Sequence, residues 1–424
     1  MGFANLVNRQ IVKGLIFFSL EVLYIIFMVK KGTGLIGGLY TLGTRKQGWV
    51  TKPGSLLPVL QQGDNSMLFL LYGIATLVIT GVFVLLYFVN LSSARKALSY
   101  RLKGKRQNSF IKDVKELADE KFHVSMMTLP VLGVLFITVL PIIFMILIAF
   151  TNYDREHQVP GNLFRWVGLT NFKNLLGGNS ILSGTFSHVL GWTLVWAAIA
   201  TFSCYFLGII VALMINKKGI RFKAVWRSIL VTTIAIPQFI SLLIMQNMFN
   251  YYGPINELLV SMGFGRVDFL TNNAMNARIV VLVVNLWIGI PYTMLITSGI
   301  LMNVPAELYE SAKIDGASAV QIFFKITLPY VLFVTAPYLI TQFIGNLNNF
   351  NVIFLLTGGA PTTTEYYQAG KTDLLVTWLY KLTVNNYDYC LASTIGIFSF
   401  VVCAVISLLT YHRTSSYKKE EEFQ

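Results

Sequence analysis

The most constraining feature of this chain is a series of apolar runs, each about long enough to cross a bilayer as a helix. A helix needs about twenty apolar residues to span the hydrocarbon core. The runs that meet this length are 12–30, 67–90, 126–150, 187–215, 227–249, 279–302, 330–348 and 389–411. The last seven runs contain no Asp, Glu, Lys or Arg, except for Arg227 at the start of the fifth run. The sequence therefore predicts an all-α, polytopic membrane protein with about eight spans.

Composition supports a membrane protein over a soluble one. Charged residues make up 12% of the chain, whereas a soluble domain carries about 25%. The formal net charge of +14 could indicate nucleic-acid binding, but basic residues concentrated in the loops on one side of a membrane explain it better. Cys204, Cys390 and Cys403 show no C-x-x-C spacing, so we predict neither a disulfide framework nor a metal site.

The first run is the weakest, because Glu21 interrupts it and Lys30 ends it. A charge at the bilayer centre costs about 2.5–3.5 kcal/mol on insertion scales. Glu21 must then face the bundle interior, be protonated or lie near an interface. No second intramembrane acid or base accompanies it, which favours a structural contact over a proton relay. Without an A-x-A-like cleavage site, the run is predicted to be a retained first helix and not a signal peptide.

Basic loops predict the orientation. Lys and Arg are concentrated in loops 91–125 and 216–226, which places these loops in the cytoplasm. The residues concerned are Arg95, Lys96, Arg101, Lys103, Lys105, Arg106, Lys112, Lys115, Lys121, Lys217, Lys218, Arg221 and Lys223. By alternation the N-terminus, the loop 303–329 and the C-terminal tail are cytoplasmic too. Loop 31–66 should then lie outside, although it holds Lys31, Arg45, Lys46 and Lys52.

These assignments suggest three functional parts. Residues 1–125 hold the first two helices and a basic cytoplasmic loop, 126–411 form a six-helix core, and 412–424 form a cytoplasmic tail. Within the six-helix core, prolines interrupt the apolar runs at Pro130, Pro141, Pro237, Pro291 and Pro337. Helices broken at membrane depth are common in transporters, because the freed backbone groups can line a wet cavity.

The cytoplasmic loop 303–329 reads NVPAELYESAKIDGASAVQIFFKITLP. Pro305 suits the first turn of a helix, and Gly316 suits a left-handed cap at its end near Ile314. A second short helix over 318–327 is expected before Pro329 opens the next span. The pattern predicts a helix–glycine–helix elbow at the membrane surface, either an amphipathic interfacial element or a docking site for a cytoplasmic partner.

Within this elbow, Glu310-Ser311-Ala312, Asp315-Gly316-Ala317 and the later Leu328-Pro329 resemble the EAA loop of ABC-importer permeases, with Ser311 replacing an alanine. Elsewhere the segments GDNSMLFLLYGI, PQFISLLIMQNMFN, VNLWIGIPYTM, NLNNFNVIFLLTGG and TDLLV resemble maltose/maltodextrin permease subunits of the MalF type. The large extracytoplasmic domain that some members insert after the third helix is absent, since only 151–186 stands there.

The resemblance implies an ABC type I importer permease fold and a set of partners. It implies a second permease subunit, an ATPase subunit dimer, an extracellular solute-binding protein and an oligosaccharide substrate, within a lipid bilayer and with no nucleic acid. Coupling to the ATPase would fall to Glu310, Ser311, Ala312, Asp315, Gly316 and Ala317. This chain would carry no cofactor, because ATP and magnesium would bind the partner ATPase, and it would have no catalytic residues. Its own Gly370-Lys371-Thr372 is no P-loop, since position 365 is Glu and not Gly.

Sugar recognition requires amides and aromatic faces in an otherwise apolar cavity. Polar candidates within the spans are Gln238, Asn285, Trp287, Tyr292, Asn346, Asn348 and Asn349, each of which could instead bond between helices. The MalF-type sugar contacts fall on Ile234, Gln238, Asn285, Ile288, Gly289, Tyr292, Gly345, Asn346 and Asn349. Of these, Gln238, Asn285, Gly289, Tyr292, Asn346 and Asn349 are the predicted substrate-binding residues. Ile234, Gln238 and Gly345 depart from the family's Tyr, Ser and Phe.

Other functions remain open at this stage. Within the importer class, a galacto-oligosaccharide or another oligosaccharide is an alternative substrate to malto-oligosaccharides. An ion-coupled secondary transporter would need an intramembrane ionisable group, for which Glu21 alone is thin support. A membrane-embedded glycosyltransferase would need converging carboxylates or histidines, but His123, His157 and His188 are scattered.

Overall fold

The computed structural model describes residues 1–51, 57–104, 110–178, 180–217 and 219–412. Lys52, Lys105, Arg106, Lys218 and the tail after His412 lie outside this part of the chain. The described residues form two compact units. We call residues 1–171 with 387–393 the first unit, and residues 172–386 with 394–412 the second unit. The three-part functional grouping predicted from sequence remains a prediction.

The described residues of the first unit form three helical segments of membrane length, shorter helices and one small hairpin. Its helices are α1 (Phe3–Val7), α2 (Ile11–Phe27), α3 (Thr33–Thr41), α4 (Ser66–Leu102), α5 (Phe110–Ala118), α6 (Phe122–Gly133) and α7 (Leu140–Ile148). Strands β1 (Gly48–Val50) and β2 (Val59–Gln61) pair antiparallel, with Trp49 opposite Leu60. The start of loop 31–66 is helical, because a π turn at Met28–Gly32, which contains Lys30 and Lys31, joins α2 to α3 in one continuous helical segment.

Glu21 finds a partner in the first unit. The Met1 ammonium forms an ion pair with its carboxylate, and the Glu21 side chain is 29% exposed. Since α1 folds back along α2, the charge that interrupts the first apolar run is neutralised locally. The structural contact favoured by the sequence is the one observed, and it leaves no unpaired acid in this helix.

The second unit holds the remaining helices. After α8 (Thr170–Leu176), which straddles the boundary, they are α9 (Ile181–Asn216), α10 (Lys223–Ala235), α11 (Gln238–Met248), α12 (Pro254–Ser261), α13 (Ala274–Leu301), α14 (Ala306–Ile314), α15 (Ala319–Ile322), α16 (Leu328–Leu347), α17 (Phe350–Leu356), α18 (Leu375–Tyr380) and α19 (Tyr389–Tyr411), whose first residues belong to the first unit. Side chains cap the long helices: Ser180 forms a capping box with Ser183, and Asn273 accepts from two amides of α13.

Among the described residues, 7 helical segments are long and apolar enough to span a membrane, and the bent pair α10–α11 makes up to 8. The prediction of about eight spans is therefore confirmed. The pair bends by 90° at Pro237, one of the predicted breakers. Pro291 and Pro337 instead lie inside α13 and α16, which continue past them.

Glycines let α9 and α13 approach closely. A Cβ on Gly289 would lie 2.5 Å from the Cys204 sulfur, and one on Gly208 would lie 2.6 Å from the Cβ of Thr293. Small residues at such crossings allow membrane helices to pack by direct contact. Beyond this crossing, buried Trp196, Val281 and Ile353 belong to one apolar cluster that joins α9, α13 and α17. Ile288, which packs against this cluster, also lines the cavity described next.

Candidate functional site

One cavity of about 400 Å³ opens among α9, α10, α11, α13 and α16 in the second unit. Its size suits a small polar ligand, since ligand sites usually measure about 300–1,000 Å³. The lining residues are Thr201, Cys204, Tyr205, Thr233, Ile234, Ala235, Ile236, Pro237, Gln238, Asn285, Ile288, Gly289, Tyr292, Thr293, Tyr338, Leu339, Gln342, Asn346 and Asn349. All six predicted substrate-binding residues are among them.

Helix α13 supplies one wall of the cavity. Asn285, Gly289 and Tyr292 follow one another at helical spacing, so they lie on one face of the helix. Asn285 is 7% exposed, and its Nδ2 lies 3.5 Å from the Cys204 sulfur. Tyr292 is 48% exposed, with its ring 6.2 Å from that of Tyr338. The wall therefore combines an amide held in place with a ring that is free to contact a ligand.

Helix α16 supplies the opposite wall. Tyr338, Gln342 and Asn346 recur every four residues, and Asn349 continues the same face just beyond the helix end. Asn346 donates to the Thr201 hydroxyl at 2.9 Å, and Asn349 donates to the Asn346 side-chain oxygen at 3.4 Å. The Asn349 oxygen also accepts from the first turn of α17. These bonds fix both asparagines before any ligand arrives.

The bent pair supplies the third wall. Because Pro237 has no N–H, the carbonyl of Thr233 cannot form its ordinary helical hydrogen bond. Ile234, Pro237 and Gln238 line the cavity at this break. Backbone groups freed at membrane depth are tolerated where they face a wet cavity, which agrees with their position here.

Some predicted residues have other roles or lie elsewhere. Gly289 reaches the cavity, but its missing side chain serves the contact with Cys204. Asn348 does not line the cavity: its Nδ2 donates to the Ile344 carbonyl at 3.2 Å and lies 3.6 Å from the Cys403 sulfur. Gly345 and Trp287 are exposed and likewise absent from the lining. Adjacent sequence positions on a helix point in different directions, so neighbouring asparagines cannot share one role.

Sequence reasoning missed Gln342, Tyr338, Thr201 and Thr293. A signal existed for the first two, since the spacing 338, 342, 346 and 349 places polar residues on one stripe of an apolar helix. Thr293 continues the i, i+4 series of Asn285 and Gly289 on α13, so its spacing gave a similar signal, whereas Thr201 gave none. A threonine inside a membrane helix usually bonds its own backbone, and Thr293 does so weakly with Gly289, at 3.4 Å.

The lining carries amides, hydroxyls and aromatic rings, and none of the lining residues is Asp, Glu, Lys, Arg or His. Amides and hydroxyls give directional donors and acceptors for ligand hydroxyl groups, while tyrosine rings cover apolar ligand faces. A carboxylate or an ammonium ion would find no counter-ion among these side chains. The arrangement is suited to a neutral, hydroxyl-rich solute.

A network of loop residues braces helix α9 at Trp192. Trp192 donates to the Thr372 carbonyl at 3.2 Å, and Arg278 donates twice to the carbonyl of Lys371 while lying 4.2 Å from the Trp192 ring. Next to them, buried Asp373 pairs with Lys381 at 2.6 Å. Burial raises the pKa of Asp373, and the Lys381 ammonium opposes that shift. The Gly370 amide also donates to the same Asp373 oxygen at 2.6 Å, so this buried carboxyl group is held by two partners.

The predicted elbow is the second candidate site. Helix α14 begins at Ala306, just after Pro305, and ends at Ile314; Gly316 follows with φ +75°. The Gly316 and Ala317 amides donate back to the last turn at 3.1 and 2.9 Å, which closes a left-handed cap. The prediction of a separate second helix over 318–327 is wrong. Because a π turn at Phe323–Thr327 joins α15 to α16, this segment is the start of the membrane helix.

The elbow exposes both polar and apolar side chains. Glu310, Ser311, Asp315 and Gly316 are exposed, whereas Ala312 and Ala317 are half-buried. The large apolar residues of the elbow are exposed as well: Leu308 47%, Ile314 86%, Val320 65% and Phe324 60%. The Tyr309 hydroxyl meets the Thr327 hydroxyl at 3.2 Å and ties α14 to the start of the next span. Exposed apolar residues in a rimmed patch mark a surface for another molecule.

Comparison with known proteins places both sites in one family. Residues 204–416 match the family described as binding-protein-dependent transport system inner membrane component, a range that holds the elbow and nearly the whole cavity. The maltodextrin transport system permease protein MdxF of Bacillus subtilis (strain 168) is 34% identical over 99% of this chain and 95% of its own length. The chain belongs to this family. It is a multi-pass membrane permease.

Other members of the permease family differ in the sugar they are named for. The galactooligosaccharides transport system permease protein GanP of Bacillus subtilis (strain 168) is 35% identical over 99% of this chain and 96% of its own length. The maltose/maltodextrin transport system permease protein MalF of Escherichia coli (strain K12) is 34% identical over 62% of this chain but 52% of its own length. The sequence-based identification of a MalF-type permease is confirmed.

Solved structures agree on the fold. A chain from a bacterial ABC transporter involved in the import of the acidic polysaccharide alginate matches with a TM-score of 0.57 and 24% identity. The match covers 71% of this permease and 97% of that chain. The same transporter in complex with an alginate pentasaccharide-bound periplasmic protein gives a TM-score of 0.59 at 24% identity. The ABC importer permease fold predicted from sequence is therefore confirmed.

Proposed function

We propose that this permease forms half of the translocation pathway of an ATP-driven, binding-protein-dependent importer of malto-oligosaccharides. The observation that carries the proposal is the cavity, whose lining offers amides, hydroxyls and tyrosine rings but no ionised side chain. A neutral sugar matches such a lining, since its hydroxyl groups need directional partners and its ring faces need apolar cover. The full-length similarity to a maltodextrin permease supports the same substrate class.

The elbow supports coupling to a separate ATPase. Its exposed Ile314, Val320 and Phe324 offer apolar surface for a partner. The residues proposed to dock are Glu310, Ser311, Ala312, Asp315, Gly316 and Ala317. The remaining partners are a second permease subunit and an extracellular solute-binding protein, a partner class present in one similar solved complex. ATP and magnesium bind the ATPase, and this chain is a non-catalytic transport subunit.

In this proposal both termini and the elbow are cytoplasmic. The proposal follows from the basic residues of loops 91–125 and 216–226, among which Arg95, Lys96 and Arg101 are exposed or half-exposed at the end of α4. The ATPase then meets the elbow from the cytoplasm, and the binding protein delivers sugar to the opposite side.

A galacto-oligosaccharide is the second candidate substrate, because GanP is as similar to this chain as MdxF. The two sugar classes differ in the orientation of their ring hydroxyl groups, and amides at fixed positions form hydrogen bonds with one orientation better than with the other. An ion-coupled mechanism is less favoured, because the cavity lining contains no Asp, Glu, Lys, Arg or His and Glu21 is already paired.

The test uses the assembled transporter in proteoliposomes, with maltotriose and galactotriose as alternative substrates. Gln238→Ala and Gln342→Ala each remove a cavity amide that has no hydrogen-bond partner among the described residues. Losing one neutral hydrogen bond of about 0.5–1.5 kcal/mol should lower kcat/KM for the transported sugar about 2- to 12-fold.

Asn348→Ala is the matched control, since it removes an amide from the same helix end but outside the cavity. It should transport like the unaltered protein. Equal loss in Asn348→Ala and Gln342→Ala, or uptake that follows an imposed ion gradient without ATP, would contradict the proposal. Preference for galactotriose would support the importer mechanism but would replace malto-oligosaccharides with galacto-oligosaccharides as the substrate.

A further inference from the structure

A cleft in the first unit lies far in sequence from the cavity and has no part in the proposed transport mechanism. It measures about 370 Å³ and opens between α1 and the last three turns of α4. Its lining is Phe3, Ala4, Val7, Asn8, Ala94, Arg95, Leu98 and Arg101. The surface thus joins apolar side chains to two arginines, which is the chemistry of an amphiphilic anion.

The two arginines are available for a ligand. Arg95 and Arg101 are both exposed, and within the described part of the chain neither forms an ion pair with a carboxylate. Arg101 meets only the side-chain oxygen of Asn8, at a long 3.4 Å. A guanidinium offers several donors in a fixed plane that matches phosphate oxygens. Lys96 and Lys103 add positive charge on the neighbouring turns.

The walls of the cleft are held together by buried amides. Asn5, which is fully buried, donates to the Ser93 hydroxyl at 3.0 Å, and Asn90 donates to the Asn5 oxygen at 3.4 Å. The Gly2 amide donates to Asn90 at 3.3 Å. This network fixes α1 against α4, so the cleft is formed before any ligand binds.

The cleft lies at the level where spans begin and end. It adjoins the last turns of α4, and α2 begins three residues after Asn8. Lys13 in the first turn of α2 forms an ion pair with Asp113 of α5, which fixes that short amphipathic helix at the same level. On α5, Ile111 is 68% exposed and Val114 46% exposed. A helix with one charged and one apolar face suits the boundary between headgroups and acyl chains.

We propose that this cleft binds one anionic phospholipid, with its phosphate between Arg95 and Arg101 and an acyl chain along Phe3, Val7 and Leu98. Phe3 is 76% exposed and Leu98 50% exposed, so both offer apolar surface to a chain. A zwitterionic lipid would bring its own cation into a site that has only positive groups. Basic pockets beside membrane helices bind acidic lipid headgroups in this way.

The experiment measures lipid binding to the assembled transporter in mixed micelles. Phosphatidylglycerol and phosphatidylcholine are titrated separately, with binding followed by native mass spectrometry and by thermal stability. Binding to the folded state alone should raise the unfolding temperature as phosphatidylglycerol increases. Replacing both arginines in Arg95→Gln/Arg101→Gln should weaken this binding about 30-fold, since each cation near the surface contributes roughly 5-fold.

Two variants and one soluble anion complete the design. Arg155→Gln removes an exposed arginine elsewhere in the first unit and should bind lipid normally. Arg95→Lys/Arg101→Lys keeps the charge and should retain most of the preference for phosphatidylglycerol. Equal binding of the two lipids, a full effect from inorganic phosphate alone, or equal affinity in the Gln pair and Arg155→Gln would each overturn the proposal.

Discussion

The elbow and the cavity of this permease differ in how many of their side chains contact other residues of the same chain. In the cavity, Asn346 and Asn349 are bonded to other side chains, and Asn285 is buried against Cys204. In the elbow, α14 contains no buried residue, and Ile314 is 86% exposed. The side chains of the cavity are therefore fixed by internal contacts, whereas the elbow is shaped by its backbone and leaves apolar side chains exposed.

The largest effect should follow from a change of elbow shape. Gly316→Val places a β-branched residue at φ +75°, where left-handed backbone costs non-glycine residues about 1–2 kcal/mol or more. The cap should open, and ATP-driven uptake should fall at least about 100-fold, as expected when a docking geometry is misplaced.

Gly299→Val is the control for this prediction, because a Cβ added at this position meets nothing within 4 Å and the residue lies in α13. It should insert and transport nearly normally. The amount of each variant in the membrane is measured by immunoblotting. Full uptake by Gly316→Val would show that elbow shape does not matter.

A moderate effect is expected where the cavity depends on helix contact. Gly289→Ala adds a Cβ about 2.5 Å from the Cys204 sulfur, and overpacking of this kind costs about 1–3 kcal/mol. The unfolding temperature and the rate of sugar uptake should both fall, because α9 and α13 must separate.

Removing the opposing sulfur sharpens this test. Gly289→Ala combined with Cys204→Ala should recover most of the lost stability, so the two changes should be non-additive in thermal unfolding. Additive losses would mean that Gly289 serves the ligand and not the helix contact.

The smallest effect concerns local order in the elbow. Ser318 accepts from the Gln321 amide at 3.3 Å, while the Gln321 side chain accepts from the Ser318 amide at 2.8 Å. Losing such a cap costs about 1 kcal/mol. Ser318→Ala should therefore lower coupled ATPase activity only a few-fold, with Ser318→Asp close to normal. A loss as large as that of Gly316→Val would contradict this ranking.

The same difference explains what could be predicted from sequence. The elbow is one contiguous segment in which Gly316 and Ala306–Ile314 follow local rules, so its first helix and its cap were predictable. Its junction with the next span was not, because nothing in the local sequence distinguishes a π turn at Phe323–Thr327 from a helix end.

The cavity draws on five helices, and sequence spacing shows the direction of a side chain on one helix only. That Tyr338, Gln342 and Asn346 share one helix face could therefore be predicted from their spacing. The separation of Asn348 from its neighbours was readable too, but Thr201 and Cys204 belong to the cavity only through their packing against α13 and α16. The spans themselves were predictable, since a bilayer sets their length.

The right-angle break at Pro237 has a consequence for how sugar preference can change. Thr233 and Ile234, in the last turn of α10, line the cavity. The Thr233 carbonyl lacks its ordinary helical donor, because the residue four positions ahead is Pro237, which has no N–H. Side-chain substitution does not remove an acceptor of this kind. In the proposed importer, variation at Ile234 or Gln238 would then change which saccharide is favoured, while the backbone acceptor at the break would stay available to any hydroxylated solute.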